Sequence, residues 1–276
     1  MPNITINNFS CQYAYHQQSQ DAPCVLFLNG IMSPLESWQS QAQLAQKMGF
    51  STLQYEYRGQ WRSEVTTAPY TMQTHVDDLL ALLQALDIQR AHFVGTSYGG
   101  MTSMKFASQY PDIPLSLMLI TTTALIRPLP RGILSNWQSL TEKNDIEGLF
   151  RAFVPDLYSE AFQKKNPDLI TQRLASFTVA LRDMPDFCAG QTLLNLAQFP
   201  DIADGNLLNN LTRIPCRSLI VAGAEDRLYP PTDSAEIAKR IKNSRMVTIE
   251  GAGHAAVMEQ PEAINLLLAG HLLMEA

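Results

Sequence analysis

The apolar residues of this chain fall into short runs that are separated by polar turns. Alternating apolar and polar positions within residues 3–16 predict an antiparallel hairpin at the edge of a sheet. Continuous apolar runs, typical of strands buried on both faces, follow at Cys24–Leu28, Thr52–Tyr57, Ala91–Val94, Leu115–Ile120, Cys216–Val221 and Met246–Ile249. Helical patterns alternate with these runs at 34–48, 76–86, Met101–Tyr110, Ser234–Ile241 and Pro261–Leu273. This alternation predicts an α/β fold with a mostly parallel, doubly wound sheet.

The first of these helices carries recognisable start signals. Ser33 is a suitable N-cap residue, and Pro34 suits the first helical position because its missing N–H is not needed there. We therefore expect this helix to begin at Pro34 and to end near Met48.

The alternation of strands and helices stops after Leu115–Ile120. Residues 125–213 show helical patterns without a convincing strand, and the alternation resumes at Cys216. We therefore predict an α/β core formed by residues 1–124 and 214–276, with a helical cap inserted at 125–213.

Composition narrows the possible classes of protein. Of 276 residues, 46% are hydrophobic and 17% are charged, which is enough apolar material for a large core. The net charge of -6 and the lack of a basic run argue against a nucleic-acid partner. No apolar stretch has membrane-spanning length, and the N-terminal residues do not resemble a secretory signal. The four scattered cysteines show neither metal-ligand nor disulfide spacing. These features predict a reduced cytoplasmic protein whose oligomeric state is left open.

One short motif suggests chemistry. Gly95-Thr96-Ser97-Tyr98-Gly99 fits the pattern G-x-S-x-G between a predicted strand and a predicted helix. In that context the motif is typical of a nucleophile elbow, in which a serine hydroxyl is exposed on a strained turn. The first amides of the following helix then face any negative charge that forms beside Ser97.

A serine nucleophile needs a general base and a carboxylate that orients it. Of the five histidines, His254 alone follows a predicted strand in a loop of small residues, at the sheet edge where ligands bind. Asp226 stands three residues after Gly223 at the end of another predicted strand, and we favour it over Glu225. Ser97, Asp226 and His254 therefore occur in the chain order of an α/β-hydrolase triad.

These residues make the chain resemble the α/β-hydrolase superfamily, in particular its enol-lactonase and small-esterase branch. The resemblance covers nearly the whole chain and rests on the segments 28–31, 57–59, 95–100, 223–226, 253–254 and 259–261. It implies an eight-stranded, mostly parallel sheet with helices on both faces and an inserted helical cap. It also implies an oxyanion hole formed by the backbone amides of Ile31 and Tyr98, and catalysis without a cofactor or metal.

Two residues depart from the family pattern. Asn29 stands where a histidine is usual, and Trp61 replaces a glycine. The segment Asn29-Gly30-Ile31-Met32 is also similar to synthases that join hydroxyacyl chains for rhamnolipids, which are acyltransferases. We expect the substrate pocket to include Asn29, Met32, Trp61, Phe150 and Phe153.

The sequence thus predicts a serine hydrolase that cleaves a small-molecule ester, lactone or acyl thioester through an acyl-enzyme. Two alternatives are an acyltransferase on the same triad and a non-catalytic binding protein of the same fold. A third is a lactonase for an anionic substrate, in which cap arginines (Arg131, Arg151 or Arg182) pair with a carboxylate.

Overall fold

The computed structural model describes residues 2–67 and 70–274, so Met1, Ala68, Pro69, Glu275 and Ala276 lie outside it. The strands are β1 (Asn3–Ile6), β2 (Phe9–His16), β3 (Cys24–Leu28), β4 (Ser51–Tyr55), β5 (Ala91–Thr96), β6 (Pro114–Ile120), β7 (Arg217–Gly223) and β8 (Ser244–Ile249). The helices are α1 (Gln39–Lys47), α2 (Met72–Ala85), α3 (Tyr98–Gln109), α4 (Pro128–Glu142), α5 (Ile146–Leu157), α6 (Glu160–Lys165), α7 (Leu169–Ala180), α8 (Phe187–Ala203), α9 (Asn206–Asn210), α10 (Pro231–Arg240), α11 (Ala256–Glu259) and α12 (Pro261–Leu273).

The strands form one 8-stranded sheet in the order β1-β2-β4-β3-β5-β6-β7-β8. The pairs β1–β2 and β2–β4 are antiparallel, whereas all pairs from β4–β3 to β7–β8 are parallel. This confirms the predicted mostly parallel eight-stranded sheet with a hairpin at its edge. Because the parallel strands share one direction, their carboxyl ends meet at one edge of the sheet.

Both faces of the sheet are covered by helices, as the apolar runs predict. In β3, Val25 and Phe27 face a core cluster that contains residues of α1 and α12. Leu26 and Leu28 face the opposite cluster, which contains residues of α2 and α3. Removing each Leu or Phe side chain from water contributes about 1.5–3 kcal/mol, so these runs hold the central strands between two layers of helices.

The predicted start of the first helix is wrong. Ser33 makes no capping bond, and Pro34 is extended, with φ -72° and ψ 161°. A 3-10 turn at Leu35–Trp38 comes first, and the Leu35 N–H donates to Glu56 Oε1 at 3.4 Å. A carboxylate from a distant loop therefore takes the role that the sequence assigns to the Ser33 hydroxyl.

The segment 125–213 is helical in the structure, with α4, α5, α7 and α8 packed on one another. The chain returns to β7 through α9, which packs against α3. The division into a core of 1–124 and 214–276 and a cap of 125–213 stays a prediction, because α8 and α9 also contact core helices. Within 2–67 and 70–274, no helix is both long and apolar enough to cross a membrane.

Candidate active site

Ser97 occupies the tight turn between β5 and α3. Its backbone has φ 52° and ψ -119°, a conformation that a non-glycine residue adopts only under strain. Gly95 and Gly99 permit this turn because a Cβ atom on either would collide with backbone, at Gly99 and at Leu28 respectively. The Ser97 N–H donates to Ile120 O at 3.0 Å, which ties the turn to the neighbouring strand β6.

His254 and Asp226 form a buried pair at the ends of β8 and β7. His254 Nδ1 lies 2.9 Å from Asp226 Oδ2. The other carboxylate oxygen, Oδ1, accepts the N–H groups of Leu228 at 2.9 Å and Tyr229 at 2.8 Å. Because a carboxylate accepts hydrogen bonds, Nδ1 carries the ring hydrogen, and Nε2 keeps its lone pair.

The structure brings Asp226 to the histidine and leaves Glu225 outside the pair. Glu225 Oε2 accepts the N–H of Glu160 at 3.0 Å, at the start of α6. Ser97 and His254 line the same cavity. Among the described residues no hydrogen bond joins the Ser97 hydroxyl to His254, a contact that often tightens only when substrate binds.

Two backbone N–H groups near Ser97 have no hydrogen-bond acceptor within the described residues. Tyr98 begins α3, so its N–H has no intrahelical partner, and the Ile31 N–H lies in the loop after β3. Neither amide finds an acceptor in the part of the chain that the structure describes. These are the two amides that the resemblance assigns to the oxyanion hole.

A buried glutamine helps to fix the orientation of the Ile31 amide, together with the Ser33 N–H, which donates to Gly30 O at 3.3 Å. Gln60 Nε2 donates to Gly30 O at 2.8 Å, and Gln60 Oε1 accepts the Tyr57 N–H at 3.2 Å. The Gly30 carbonyl and the Ile31 N–H belong to one planar trans peptide and point in opposite directions. Holding the carbonyl therefore also aims the N–H. Gln60 carries no recognisable motif of its own in the sequence; the signal for it is its place after Tyr57-Arg58-Gly59.

Asn29 is a pocket prediction that the structure does not support. Its side chain is fully buried, and Nδ2 donates to Tyr55 O at 3.0 Å and to Gln60 Oε1 at 3.4 Å. Asn29 does not line the cavity in the described structure. Its Nδ2 group contacts Gln60 and the end of β4, whereas its buried Oδ1 has no hydrogen-bond partner within the described residues.

Trp61 is likewise placed behind the cavity wall. Its Nε1 donates to Met32 O at 3.0 Å, and its ring packs edge-on against Phe177 at 5.0 Å and Phe187 at 5.3 Å. The Met32 N–H donates to Gln191 Oε1 of α8 at 3.0 Å. Met32 has φ 68°, so Trp61 and Gln191 together hold a strained residue directly after Ile31.

The cavity has a volume of about 180 Å³. Met32, Phe150 and Phe153 lie in its wall, as the sequence analysis expects. The wall is otherwise mainly apolar, with further large side chains at Trp38, Leu134, Trp137, Leu157, Phe177, Leu228, Val257 and Met258. Such a lining is typical of a site for a small, largely apolar ligand.

The three arginines of the anionic-substrate alternative do not reach this cavity. Arg131, Arg151 and Arg182 are exposed, and Arg151 pairs with Glu147 at 2.8 Å. Instead the cavity is lined by Arg173 of α7, which the sequence analysis missed. No motif marks Arg173, because its position depends on how α7 packs against α5.

A buried histidine contacts the residue that follows Ser97 in the turn. His75 Nδ1 lies 2.6 Å from the Tyr98 hydroxyl, and both side chains are fully buried. Burial, reinforced by the nearby Arg58, lowers the pKa of His75 to about 3. His75 is therefore neutral in the folded protein over the whole physiological range of pH.

This shift predicts how stability depends on pH. His75 has an ordinary pKa of 6.5 when unfolded and about 3 when folded, so only the unfolded chain takes up its proton between these values. The stabilising contribution is complete above pH 6.5 and is lost as the pH falls towards 3, by about 1.4 kcal/mol per pH unit once the unfolded His75 is protonated. His75→Asn should show a shallower decline, measured by urea unfolding between pH 7 and 4.5.

The buried His92 and His271 serve as an internal control. Burial lowers the pKa of His92 to about 4 and that of His271 to about 3. These two histidines therefore destabilise the wild type and His75→Asn equally as the pH falls. The difference between the two pH profiles therefore isolates the single proton of His75. Parallel profiles would contradict the assignment.

No group of three or more His, Cys, Asp or Glu side chains that could hold a metal ion occurs within 2–67 and 70–274. Catalysis without a metal or cofactor stays a prediction.

The fold is α/β, and Ser97 and His254, the latter paired with Asp226, line one cavity. A family model for the alpha/beta hydrolase fold matches residues 23–261. The chain belongs to this family, and the predicted membership is confirmed. It is accordingly a hydrolase of the α/β fold.

Individual relatives agree with this placement. The chain is 25% identical to a 3-oxoadipate enol-lactonase of Acinetobacter baylyi over 265 residues, which are 95% of this chain and 92% of the relative. An alpha/beta hydrolase enzyme from a Medee basin deep-sea metagenome library superposes with a TM-score of 0.91 at 24% identity, covering 100% of this chain and 98% of that one. The enol-lactonase of Burkholderia xenovorans follows with 0.84 at 23% identity, covering 99% and 100%.

Proposed function

We propose that this protein is a serine hydrolase that cleaves a carboxylic ester, lactone or thioester through an acyl-enzyme. The observation that carries the proposal is the His254–Asp226 pair, whose histidine lines the same cavity as Ser97. The relatives named enol-lactonases support an ester-type carbonyl as the reacting group. The substrates named for those relatives are not assigned to this protein, and the proposal therefore specifies only a class of substrate.

Acylation begins when His254 Nε2 takes the proton of the Ser97 hydroxyl. The serine oxygen attacks the substrate carbonyl, and the developing oxyanion accepts hydrogen bonds from the Ile31 and Tyr98 amides. Asp226 holds the imidazole in its tautomer and stabilises the imidazolium that forms. His254 then returns the proton to the leaving alcohol or thiol.

Deacylation repeats these steps with water. His254 removes a proton from water, the hydroxide attacks the acyl-serine carbonyl, and the same two amides stabilise the second oxyanion. Collapse releases the acid and restores the Ser97 hydroxyl with the proton from His254. Both halves use the same three side chains, so one mechanism explains cleavage of esters, lactones and thioesters.

The acyl chain should bind against the apolar wall that includes Phe150 and Phe153. Each buried methylene contributes about 0.8 kcal/mol at most, so kcat/KM should rise several-fold per two carbons from p-nitrophenyl acetate towards butyrate or hexanoate. A cavity of about 180 Å³ limits this rise, and the longest chains should gain nothing further. The measurement is a chain-length series at fixed pH, with the non-enzymatic rate of each ester subtracted.

A steady fall in kcat/KM from acetate onwards would contradict the apolar acyl site. No turnover of any ester, lactone or thioester would contradict the hydrolase itself. Product analysis in the presence of an added alcohol separates hydrolysis from acyl transfer, because a transferase forms the new ester in preference to the free acid.

A further inference from the structure

Thr121, the residue that follows β6, contacts the backbone of the proposed general base. Its side chain is completely buried, and its Oγ1 donates to His254 O at 2.9 Å. No other donor reaches that carbonyl within the part of the chain that the structure describes. Because a threonine hydroxyl has one hydrogen, the 3.3 Å contact between Thr121 Oγ1 and Thr96 Oγ1 is donated by Thr96. The Thr121 hydroxyl is therefore oriented towards His254.

Thr121 also belongs to the peptide that holds Ser97. The Ser97 N–H donates to Ile120 O at 3.0 Å, and the Thr121 N–H donates to Val221 O of β7 at 2.8 Å. The Ile120 carbonyl and the Thr121 N–H are parts of one planar peptide, so this peptide is held from both sides. The backbones of Ser97 and His254 are thus joined by two hydrogen bonds through Ile120 and Thr121.

The backbone of Thr121 is strained. Its φ is 42°, in the left-handed region, where a β-branched residue is a true outlier. Thr121 is the only β-branched residue among the non-glycine residues with positive φ in the described structure. Such conformations persist where the surrounding contacts impose them, and they cluster at functional sites. The strain at Thr121 is therefore a second observation that sets this residue apart from an ordinary buried threonine.

We propose that Thr121 is a positioning residue, which holds the imidazole of His254 at its working distance from the Ser97 hydroxyl. This inference rests on the proposed function and adds a residue to it. The His254 carbonyl shares a peptide with the Ala255 N–H, which donates to Leu157 O at 3.0 Å. That peptide is held at both ends, so loss of the Thr121 hydroxyl loosens His254 without freeing it.

Thr121→Val tests this role, because valine keeps the branched shape and replaces the hydroxyl by a methyl group. A displacement of about 1 Å costs up to about 10²-fold, so a smaller shift of His254 should lower kcat on p-nitrophenyl butyrate about tenfold. KM should change less than twofold, since Thr121 does not line the cavity in the described structure. The rate of labelling by a fluorophosphonate probe should fall by the same factor as kcat/KM, because labelling also needs His254 to activate Ser97.

Thr121→Ser and Thr121→Ala form a second pair, which lacks the branch and differs only in the hydroxyl. Both variants should unfold at a lower temperature than the wild type, because each removes buried atoms. Thr121→Ser should nevertheless keep kcat within threefold of the wild type, whereas Thr121→Ala should lose about tenfold. Each pair tests the hydroxyl by itself, so a variant that fails to fold does not remove the test.

Thr123→Val is the matched control for the loss of a buried threonine hydroxyl. Thr123 is also completely buried, but its Oγ1 contacts Leu125 O at 2.6 Å and Asp233 Oδ2 at 3.0 Å. Thr123→Val should therefore lose stability and keep kcat within twofold of the wild type. Equal losses of kcat in Thr121→Val and Thr123→Val, or equal kcat in the serine and alanine variants, would overturn the role of Thr121 and leave the hydrolase proposal intact. A wild type that cleaves no ester, lactone or thioester and takes no label would instead overturn the proposed function.

Discussion

Ser97→Ala should lower kcat on p-nitrophenyl butyrate by at least about 10³-fold without unfolding the protein. The hydroxyl is the proposed nucleophile, and triad members act as a unit, so the rest of the site cannot replace it. The fold should survive, because Ser97 is half-buried and its side chain makes no hydrogen bond within the described residues. Steady-state kinetics and thermal unfolding on the same preparation measure both effects.

A fluorophosphonate probe provides an independent readout of the same residue. The wild type should gain one covalent adduct on Ser97, and Ser97→Ala should gain none. Ser108→Ala is the control, because Ser108 lies on α3, the helix that follows Ser97, and its hydroxyl donates to Lys105 O at 2.8 Å. Retention of a tenth of wild-type activity by Ser97→Ala would rule out the mechanism.

The sheet could be predicted because its signal is local. In β3 every buried position is apolar, and in β5 every buried position except His92 is apolar or small, as expected of strands covered on both faces. The start of the first helix could not be predicted, since Glu56 contacts the Leu35 N–H from another loop. Capping rules consider only residues next to the helix start, whereas the acceptor of the Leu35 N–H lies 21 positions away in the sequence.

The candidate site divides in the same way. Ser97, Asp226 and His254 each follow a predicted strand, and parallel strands bring such ends to one edge, so their positions in the sequence predicted that they lie at that edge. Arg173 could not be predicted, because its placement depends on the rotation of α7 over the cavity. The arginines at 131, 151 and 182, which the anionic-substrate alternative named, are exposed to solvent, and that too depends on packing that the sequence does not show.

Gln60 could not be recognised either, because a glutamine in a polar loop is ordinary and its role depends on a contact 30 positions away. Its environment in the structure is specific. It is fully buried, and both ends of its amide are used, one on Gly30 O and one on the Tyr57 N–H. Gly30 O also accepts the Ser33 N–H, at 3.3 Å, so loss of the shorter bond from Gln60 loosens the Gly30–Ile31 peptide and makes the direction of the Ile31 N–H less well defined.

Gln60→Met should therefore lower kcat about 100-fold with little change in KM. A donor in the oxyanion hole stabilises the transition state, and losing one lowers kcat by about 10²- to 10³-fold. A donor that is present but misdirected should lower kcat by an amount near the smaller of these values. Steady-state kinetics on p-nitrophenyl butyrate separate kcat from KM. The change also leaves the Tyr57 N–H without its acceptor, so a loss of stability is expected as well.

Gln54→Met controls for that loss of stability. Gln54 is also a buried glutamine whose Nε2 donates to a backbone carbonyl, that of Leu35 at 3.0 Å, but this peptide is not part of the proposed oxyanion hole. Gln54→Met should unfold at a lower temperature yet keep kcat within threefold of the wild type. If both variants lost kcat equally, the effect of Gln60 would be one of general stability, and the orientation of the Ile31 amide would have to come from another contact.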